Sequence, residues 1–260
     1  MTTLRHNAKA VYVITFREFK KFVRERSRLL GTMARPILWL FVVGGGLSRM
    51  VQPEGGVSYL QFIFPGMIGM TILFASIFSA ISIVWDREFG FLKEILVAPI
   101  SRFSVVFGKA VAGTCISLVQ VLIMVVFIPV LGIHITLAQF FLLIFSAGML
   151  AFSLTSFGIL VASRMSSYEG FNIIMNFIVM PMFFLSGAMY PVGKLPPVLK
   201  ELTHFNPLTY GVDALKNVLL SGAAGTSMGP EYPLVFDLSI IAAFMAVAVV
   251  LANWSFRKAG

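Results

Sequence analysis

Residues 59–94 read YLQFIFPGMIGMTILFASIFSAISIVWDREFGFLKE. The run from Tyr59 to Trp85 contains no charged residue. It is long enough to cross a bilayer with some tilt, since a spanning helix needs about 20 apolar residues. Directly after it, five charges fall within nine residues, at Asp86, Arg87, Glu88, Lys93 and Glu94. An uncharged span that ends in a charged loop is typical of a membrane protein that touches a soluble partner.

The composition of the whole chain is that of a membrane protein. Hydrophobic residues make up 58% of the 260 residues and charged residues only 12%, against about 25% charged in ordinary soluble domains. The mean hydropathy is +0.92. The single cysteine, Cys115, excludes an intramolecular disulfide and any site built from several cysteines.

The other uncharged stretches extend the first span into an all-α fold of six transmembrane helices. They form a membrane domain of residues 33–260, in which short polar connections separate the apolar runs. The predicted spans are residues 33–51, 59–85, 110–133, 136–163, 170–193 and 233–256.

Residues 1–32 precede the first span and form a basic amphipathic segment. Five apolar side chains share one face of a helix, while the basic residues fall largely on the others. That face holds Val11, Ile14, Phe19, Phe22 and Val23. A helix of this kind is expected to lie in the headgroup layer as an interface helix, and the alternative is a topological signal alone.

The basic residues are distributed unequally between the two sides of the predicted bundle. Nine of the 20 lie before the first span or in its first turn, where Arg35 stands, and the connections after spans two and four and the C-terminal tail add most of the others. This bias predicts that both termini are cytoplasmic. The expected location is a bacterial or archaeal cytoplasmic (inner) membrane. The net charge of +9 therefore reflects topology and attraction to anionic lipid, and it does not require a nucleic acid.

The outer connection of residues 194–232 is too long for a simple turn. It contains two short apolar stretches, the second of which starts with Asn206 as a helix N-cap and Pro207 at the first helical position. Two re-entrant helices at the outer leaflet are expected. They act as an exit gate or only as a plug, and the candidate gate residues are Tyr190, Pro191, Asn206 and Tyr210.

The sequence lacks the motifs of self-contained catalysis. Gly108 and Lys109 are followed by Ala110, and Phe103 stands where a phosphate-binding loop needs its first glycine. The histidines lie far apart, so no catalytic residue, metal site or cofactor is expected in this chain. Polar side chains within the spans are candidates for the translocation path or for interhelical hydrogen bonds. They are Gln120, Asn172 and Asn176.

The charged connection, residues 86–109, predicts a short amphipathic helix from Arg87 to Val97 that Pro99 ends. Its acidic and apolar residues suit docking into a cleft on a soluble partner. The alternative is a plain solvated connector.

The same connection carries a longer pattern, W-D-R-E-x-G-x-x-K-E-x-L-V-A-P-x-S-R over residues 85–102, followed by Gly108 and Lys109. Phe64-Pro65-Gly66 lies near the start of span two. F-L-S-G-x-x-Y-P stands at residues 184–191 and N-P-L-T-Y at residues 206–210. Together these motifs resemble the signature of type-2 ABC-transporter permeases, the membrane subunits of ATP-driven exporters, and the resemblance covers nearly the whole chain.

The resemblance implies a half-transporter. Two six-span subunits, in a homodimer or pseudo-dimer, would enclose a translocation route. Each would bind one copy of a cytoplasmic ABC ATPase, which holds ATP and Mg. The connection after span two would be the coupling helix, with Glu88 as its central acidic residue. Its other members would be Asp86, Arg87, Phe91, Lys93 and Glu94.

The apolar spans favour an amphipathic or lipid-like substrate. A polysaccharide or glycoconjugate exporter is one alternative, and a non-transporting membrane anchor for an ABC ATPase is another. A secondary carrier or channel fits less well, because ion-coupled carriers use intramembrane carboxylates or bases and Asp237 is the sole candidate.

Overall fold

The computed structural model describes residues 2–51, 53, 56–91, 97 and 100–258, and within these ranges the chain is all-helical and contains no strand. The helices in chain order are α1 (Thr2–Arg24), α2 (Arg26–Leu38), α3 (Tyr59–Glu88), α4 (Arg102–Val125), α5 (Leu137–Ala162), α6 (Tyr168–Phe184), α7 (Pro197–His204), α8 (Pro207–Leu219) and α9 (Leu234–Lys258). Helix α2 continues through a π-helical stretch, Trp39–Gly44, and a last turn at Gly45–Leu47. The all-α fold class is confirmed.

Five helices of the described chain are long and apolar enough to cross a membrane. They are Leu29–Leu47, Tyr59–Glu88, Arg102–Val125, Leu137–Ala162 and Leu234–Phe256. Helix α6 is apolar as well, but it has 17 residues. At 1.5 Å per residue it reaches about 25 Å, less than the roughly 30 Å of a hydrocarbon core.

Helix α6 ends at Phe184, whereas the sequence predicted a span over residues 170–193. The chain leaves the helix soon after Pro181, and Gly187 has a φ of +71°. Side chains from α3 and α8 donate hydrogen bonds to the carbonyl groups from Met182 to Met189. The donors are Asn206 Nδ2 to Met182 O (2.7 Å), Thr209 Oγ1 to Leu185 O (3.1 Å), Lys216 Nζ to Gly187 O (2.9 Å) and Tyr59 Oη to Met189 O (3.0 Å). Non-helical backbone is tolerated at membrane depth when protein groups satisfy it in this way.

Side-chain caps explain where several helices begin. Ser58 and Gln61 form a reciprocal capping box at the start of α3, and Thr136 and Gln139 do the same for α5. Asn206 caps α8 as the sequence predicted, accepting a hydrogen bond from Leu208 N at 3.1 Å.

Helix α3 is the centre of the bundle, and it packs against α2, α4, α5, α6 and α8. Small residues allow the close approach. A Cβ atom on Gly66 would lie 2.5 Å from the carbonyl oxygen of Ala188, and one on Gly158 would lie 2.8 Å from Ala80 Cβ. Small residues at such crossings let membrane helices pack backbone against backbone.

Helix α1 packs along α4. Thr15 Oγ1 donates to the carbonyl oxygen of Gly108 at 3.0 Å, and a Cβ on Gly108 would lie 3.2 Å from Ile14 Cβ. Ile14 and Phe22 are buried, whereas Val23, which the sequence placed on the same face, is exposed. The apolar face of α1 therefore contacts protein for much of its length.

The two helices after α6 differ in burial. Helix α8 is almost entirely buried against α3, α5 and α9, whereas α7 exposes Val198, Leu199 and Leu202. Asp213 on α8 accepts hydrogen bonds from Glu231 N at 2.9 Å and Tyr232 N at 2.8 Å, which holds the connection to α9 against the bundle.

Candidate functional site

Four charged side chains meet where α1, the end of α3 and the start of α4 come together. We call this region the basic end of the bundle. Lys109 Nζ lies 2.6 Å from Asp86 Oδ2 and 3.2 Å from Glu18 Oε1. Arg17 Nη2 lies 2.9 Å from Glu18 Oε1 and 3.1 Å from Asp86 Oδ2. Two cations and two carboxylates thus form one charge-balanced cluster that joins three helices.

Lys109 is the buried centre of this cluster. Its side chain is 2% exposed, and Nζ also donates to Ser82 Oγ at 2.9 Å. All three donors of the ammonium group therefore have acceptors. A buried ammonium group without partners would be strongly destabilising, so this geometry makes the cluster a fixed joint.

The electrostatics of Glu18 reflect its neighbours. Burial raises the pKa of this carboxyl group, but the ammonium of Lys109 and the guanidinium of Arg17 outweigh it and hold the pKa below the usual value. Glu18 is therefore ionised at neutral pH and remains paired with both cations.

Arg87, the residue after Asp86, makes contacts on another side of α3. Its Nη1 donates to the carbonyl oxygen of Met165 and its Nη2 to that of Ser163, both at 2.8 Å. Those carbonyl groups follow the last turn of α5, where helix carbonyl groups lack intrahelical partners. Asp86 and Arg87 thus tie the end of α3 to α1 and α4 on one side and to the α5–α6 connection on the other.

Aromatic rings surround the cluster and form a groove. Lys21 Nζ lies 4.5 Å from the ring centroid of Trp85, Trp85 stacks on Tyr168, and Arg17 lies 5.7 Å from the ring of Phe91. The groove has a volume of about 270 Å³. Its lining residues are Arg17, Glu18, Lys21, Trp85, Asp86, Phe89 and Phe91.

Apolar side chains in and after this groove in the sequence are exposed. Phe89 is 80% and Val97 86% exposed, and Phe91 and Glu88 are exposed as well. Two exposed aromatic side chains, Phe89 and Phe91, beside a rigid charged cluster are typical of a docking surface. Lys93 and Glu94, which the resemblance also assigns to coupling, lie outside the described residues.

The predicted coupling residues therefore fall into two groups. Asp86 and Arg87 are held in internal contacts and belong, with Glu88, to the last turn of α3, so this turn is part of the long helix that crosses the bundle. Glu88 and Phe91 face outward. Five of the eleven residues of the short helix predicted from Arg87 to Val97, residues 92–96, lie outside the described residues.

Sequence reasoning missed Arg17, Glu18 and Lys109 as members of this site. One signal was present. Glu18 is the only acidic residue of α1, and it stands four residues from both Ile14 and Phe22, on the buried stripe of the helix. A carboxylate on an apolar stripe predicts a buried cation on the facing helix.

The polar residues predicted for the translocation path lie on two helices, α4 and α6. Gln120 is buried between α4 and its neighbours, and its Oε1 atom has no hydrogen-bond partner in the described structure. Asn172 and Asn176 lie on α6, where Asn176 is exposed and Asn172 is half-buried.

Three of the predicted outer-gate residues donate hydrogen bonds to the last turn of α6 or to α7. Asn206 bonds to Met182, and the Tyr190 hydroxyl donates to the carbonyl oxygen of Phe184. Tyr210 Oη donates to His204 O at 2.9 Å. Pro191 is half-buried and starts a 3₁₀ turn, Val192–Lys194.

Comparison with known proteins shows which family this chain belongs to. Residues 9–220 match the family described as ABC-2 type transporter. The chain belongs to this family. The match covers α2 to α8 and the part of α1 from residue 9 onward, and it confirms the resemblance that the motifs of the sequence indicate.

Individual relatives agree with this assignment. The ycf38 protein of Cyanophora paradoxa, named as a transport permease, is 30% identical over 214 residues, which cover 79% of this chain and 72% of that protein. Nodulation protein J of Rhizobium leguminosarum bv. viciae is 31% identical over 205 residues, 75% of each protein. The ycf38 protein of Porphyra purpurea is 27% identical over 91% of this chain and 87% of its own length. This ABC-2 permease is therefore a multi-pass membrane transport protein.

Proposed function

We propose that this permease is the membrane subunit of an ATP-driven exporter that moves an amphipathic or lipid-like substrate out of the cytoplasm or the inner leaflet. ATP, with Mg, is bound and hydrolysed by a separate ABC ATPase. The observation that carries the proposal is the exposed apolar tip at Phe89 and Phe91, placed directly on the charged joint of Arg17, Asp86 and Lys109. A force on that tip reaches α1, α3 and α4 together.

The proposed topology has six spans with both termini in the cytoplasm of a bacterial or archaeal cell. Helix α6 is the sixth span. It is too short to cross the hydrocarbon core alone, so the non-helical segment after it covers the remaining distance, and Asn206, Thr209 and Lys216 stabilise this region. Helices α7 and α8 re-enter the outer leaflet. The basic end of the bundle then faces the cytoplasm, as the distribution of Lys and Arg favours.

The proposed ATPase docking surface consists of Glu88, Phe89 and Phe91. Asp86 and Arg87 do not touch the ATPase in this arrangement, and they transmit its movement into the bundle. Closure of the ATPase dimer would shift the basic end as a rigid body, which requires that the surface be gripped differently in the two states.

The proposed assembly contains two permease subunits and two ATPase copies. Helices α2 and α6 expose apolar faces that a monomer would leave to lipid, with Leu38, Val42, Ile173 and Phe177 all exposed. Trp39 packs edge-on against Phe183, so the two helices meet where α6 ends. A second, identical subunit against this pair would put the translocation path between the subunits, beside Asn172 and Asn176.

Transport is tested in proteoliposomes. The permease is co-purified with a phosphate-loop ATPase encoded beside it and reconstituted with a labelled amphipath. We expect accumulation in inverted vesicles with ATP and none with ADP. Accumulation that is equal without nucleotide indicates a carrier, and an intact complex that accumulates nothing with ATP indicates a membrane anchor. Either result contradicts the proposal.

The six-span topology predicts the side from which two engineered cysteines are labelled. In a Cys115→Ser background, Phe89→Cys is expected to react with a membrane-impermeant maleimide only in inverted vesicles, and Val198→Cys only in intact spheroplasts. Both native side chains are exposed, so both thiols are accessible. If α6 does not cross, Val198→Cys is instead labelled from the same side as Phe89→Cys, which rejects the sixth span.

A further inference from the structure

Arg35 is a charged residue inside an apolar segment. It lies in the candidate span Leu29–Leu47, and its guanidinium carbon lies 4.3 Å from the ring centroid of Phe74 on α3. Among the described residues, no carboxylate lies within salt-bridge distance of it. Charged residues within spans are costly and commonly mark substrate pathways. Arg35 is not part of the charge-balanced cluster around Lys109, so that cluster does not account for its position.

A cavity of about 220 Å³ opens beside the guanidinium group, between α2 and α3. Gly31 and Thr32 form one wall, and the rings of Phe74 and Phe78 form the other. A Cβ atom on Gly31 would have no neighbour within 4 Å, so the mouth of the cavity is open at that side. The cavity thus combines one permanent positive charge with apolar walls.

The geometry of Arg35 suits an oxyanion. The ring of Phe74 covers one face of the planar guanidinium and leaves the N–H donors at its edge uncovered by that ring. Arginine binds phosphate and carboxylate through two parallel hydrogen bonds from that edge. An uncharged sugar or alcohol would use the same donors less strongly.

The position of Arg35 along its helix favours an anion that is part of an amphipathic molecule. Arg35 stands six residues after Leu29, about 9 Å along the helix, and Phe74 stands fourteen residues before Glu88, about 21 Å. Arg35 is exposed on the described chain, so in the proposed topology its surroundings are lipid and a small soluble anion would have to leave water to reach it. An amphipath brings its headgroup there while its chains stay in the apolar layer.

We propose that the cavity at Arg35 binds the phosphate or carboxylate group of an amphipathic substrate, with its apolar chain against Phe74 and Phe78. The proposal rests on the proposed export function and narrows the substrate class to anionic amphipaths. Arg35 selects the headgroup at the inner leaflet, and the substrate reaches the cavity sideways from the lipid between α2 and α3.

Binding is tested on the permease alone, in nanodiscs of phosphatidylcholine without ATPase. Two photoactivatable probes with identical chains are compared, a phosphatidic acid and a diacylglycerol. We expect the phosphatidic acid to label peptides containing Gly31–Arg35 and Phe74–Phe78 at least about tenfold more than the diacylglycerol, the ratio expected for one charge-assisted hydrogen-bonded pair. Arg35→Gln is expected to abolish this preference, and Arg35→Lys to retain part of it.

Lys20→Gln is the matched control, because it also removes one positive charge that lies over an aromatic ring at the basic end. It is expected to leave the labelling of the cavity unchanged. An equal loss in Lys20→Gln and Arg35→Gln, or equal labelling by both probes, would mean general attraction of the basic end to anionic lipid and would overturn the proposal. If Arg35→Gln does not fold, competition by dodecyl phosphate against dodecanol on the unmodified protein decides the same question.

A second arm separates substrate from annular lipid. With the ATPase bound, the phosphatidic acid is expected to stimulate ATP hydrolysis and the diacylglycerol is not. Labelling without stimulation, in a complex that still exports another amphipath, assigns the cavity to a bound lipid and overturns the substrate proposal while the export function stands. Failure of every amphipath to be exported contradicts the export function, and the labelling result is independent of it.

Discussion

Lys109→Met is expected to lower the free energy of unfolding by about 3–5 kcal/mol, the cost of removing one partner from a buried ion pair. The substitution keeps most of the side-chain volume, so the loss is electrostatic. Glu18 and Asp86 would remain with Arg17 as their only cation, and Arg17 is itself partly exposed. One carboxylate would then be buried without a balancing charge.

The measurement is the melting temperature of the detergent-solubilised permease, followed by size-exclusion chromatography after heating. Lys200→Met on α7 is the control, because Lys200 is exposed and surface substitutions generally change stability by less than about 0.5 kcal/mol. Equal melting temperatures for the two variants would show that the cluster at the basic end does not stabilise the bundle.

The double variant Lys109→Met, Glu18→Gln tests the origin of the loss. Removing one cation and one carboxylate leaves Arg17 and Asp86 as a balanced pair. The double variant is therefore expected to be more stable than Lys109→Met alone, with a coupling energy within the 0.5–3 kcal/mol typical of contacting residues. Strict additivity would contradict the charge-balance argument.

The same cluster predicts a dependence on pH. The pKa of Glu18 is lowered on folding, so its contribution to stability is complete above the unfolded-state pKa of about 4.5 and is lost as the pH falls through the folded-state value. The difference in melting temperature between the original protein and Lys109→Met is accordingly expected to shrink at acid pH, where the unbalanced carboxylate takes up a proton.

The positions of the long helices were accessible from the sequence because the bilayer sets their length. Residues 136–163 and 233–256 were predicted as spans, and α5 and α9 occupy Leu137–Ala162 and Leu234–Lys258. Apolar runs with few charges have no other stable arrangement in lipid than a helix with internally paired backbone. The cap at Asn206 was predictable for a local reason, since its side chain bonds within two residues.

The charged cluster at the basic end could not be predicted from the sequence, because the residues that contact one another in it are distant in sequence. Lys109 is 91 residues from Glu18, and basic residues near spans are accounted for by topology alone until a partner is known. The sequence motifs assigned Asp86 and Arg87 to one docking surface. On a helix, consecutive residues point about 100° apart, and this rotation directs one towards α4 and the other towards the α5–α6 connection.

Glu88→Lys is expected to abolish substrate-stimulated ATP hydrolysis in the reconstituted complex while the permease still inserts and folds. Glu88 ends α3 and is exposed, so reversal of its charge changes the fold little. Loss of a close charge pair across an interface costs about 2–5 kcal/mol, and reversal costs more, which corresponds to at least about a 30-fold loss. The neighbouring Asp86 and Arg87 cannot replace it, because their side chains are held in internal contacts.

The matched control for this charge reversal is Glu201→Lys, an exposed acid on α7 at the opposite end of the bundle. It is expected to leave stimulation unchanged. Two measurements separate docking from coupling: the ATPase that co-purifies with each variant, and the ratio of ATP hydrolysis with and without substrate. Loss of co-purification assigns Glu88 to docking, and retained ATPase without stimulation assigns it to coupling. If the variant retains the ATPase and stimulation is normal, the assignment of the docking surface to Glu88, Phe89 and Phe91 is wrong. The charged cluster can transmit only a force that this exposed surface receives.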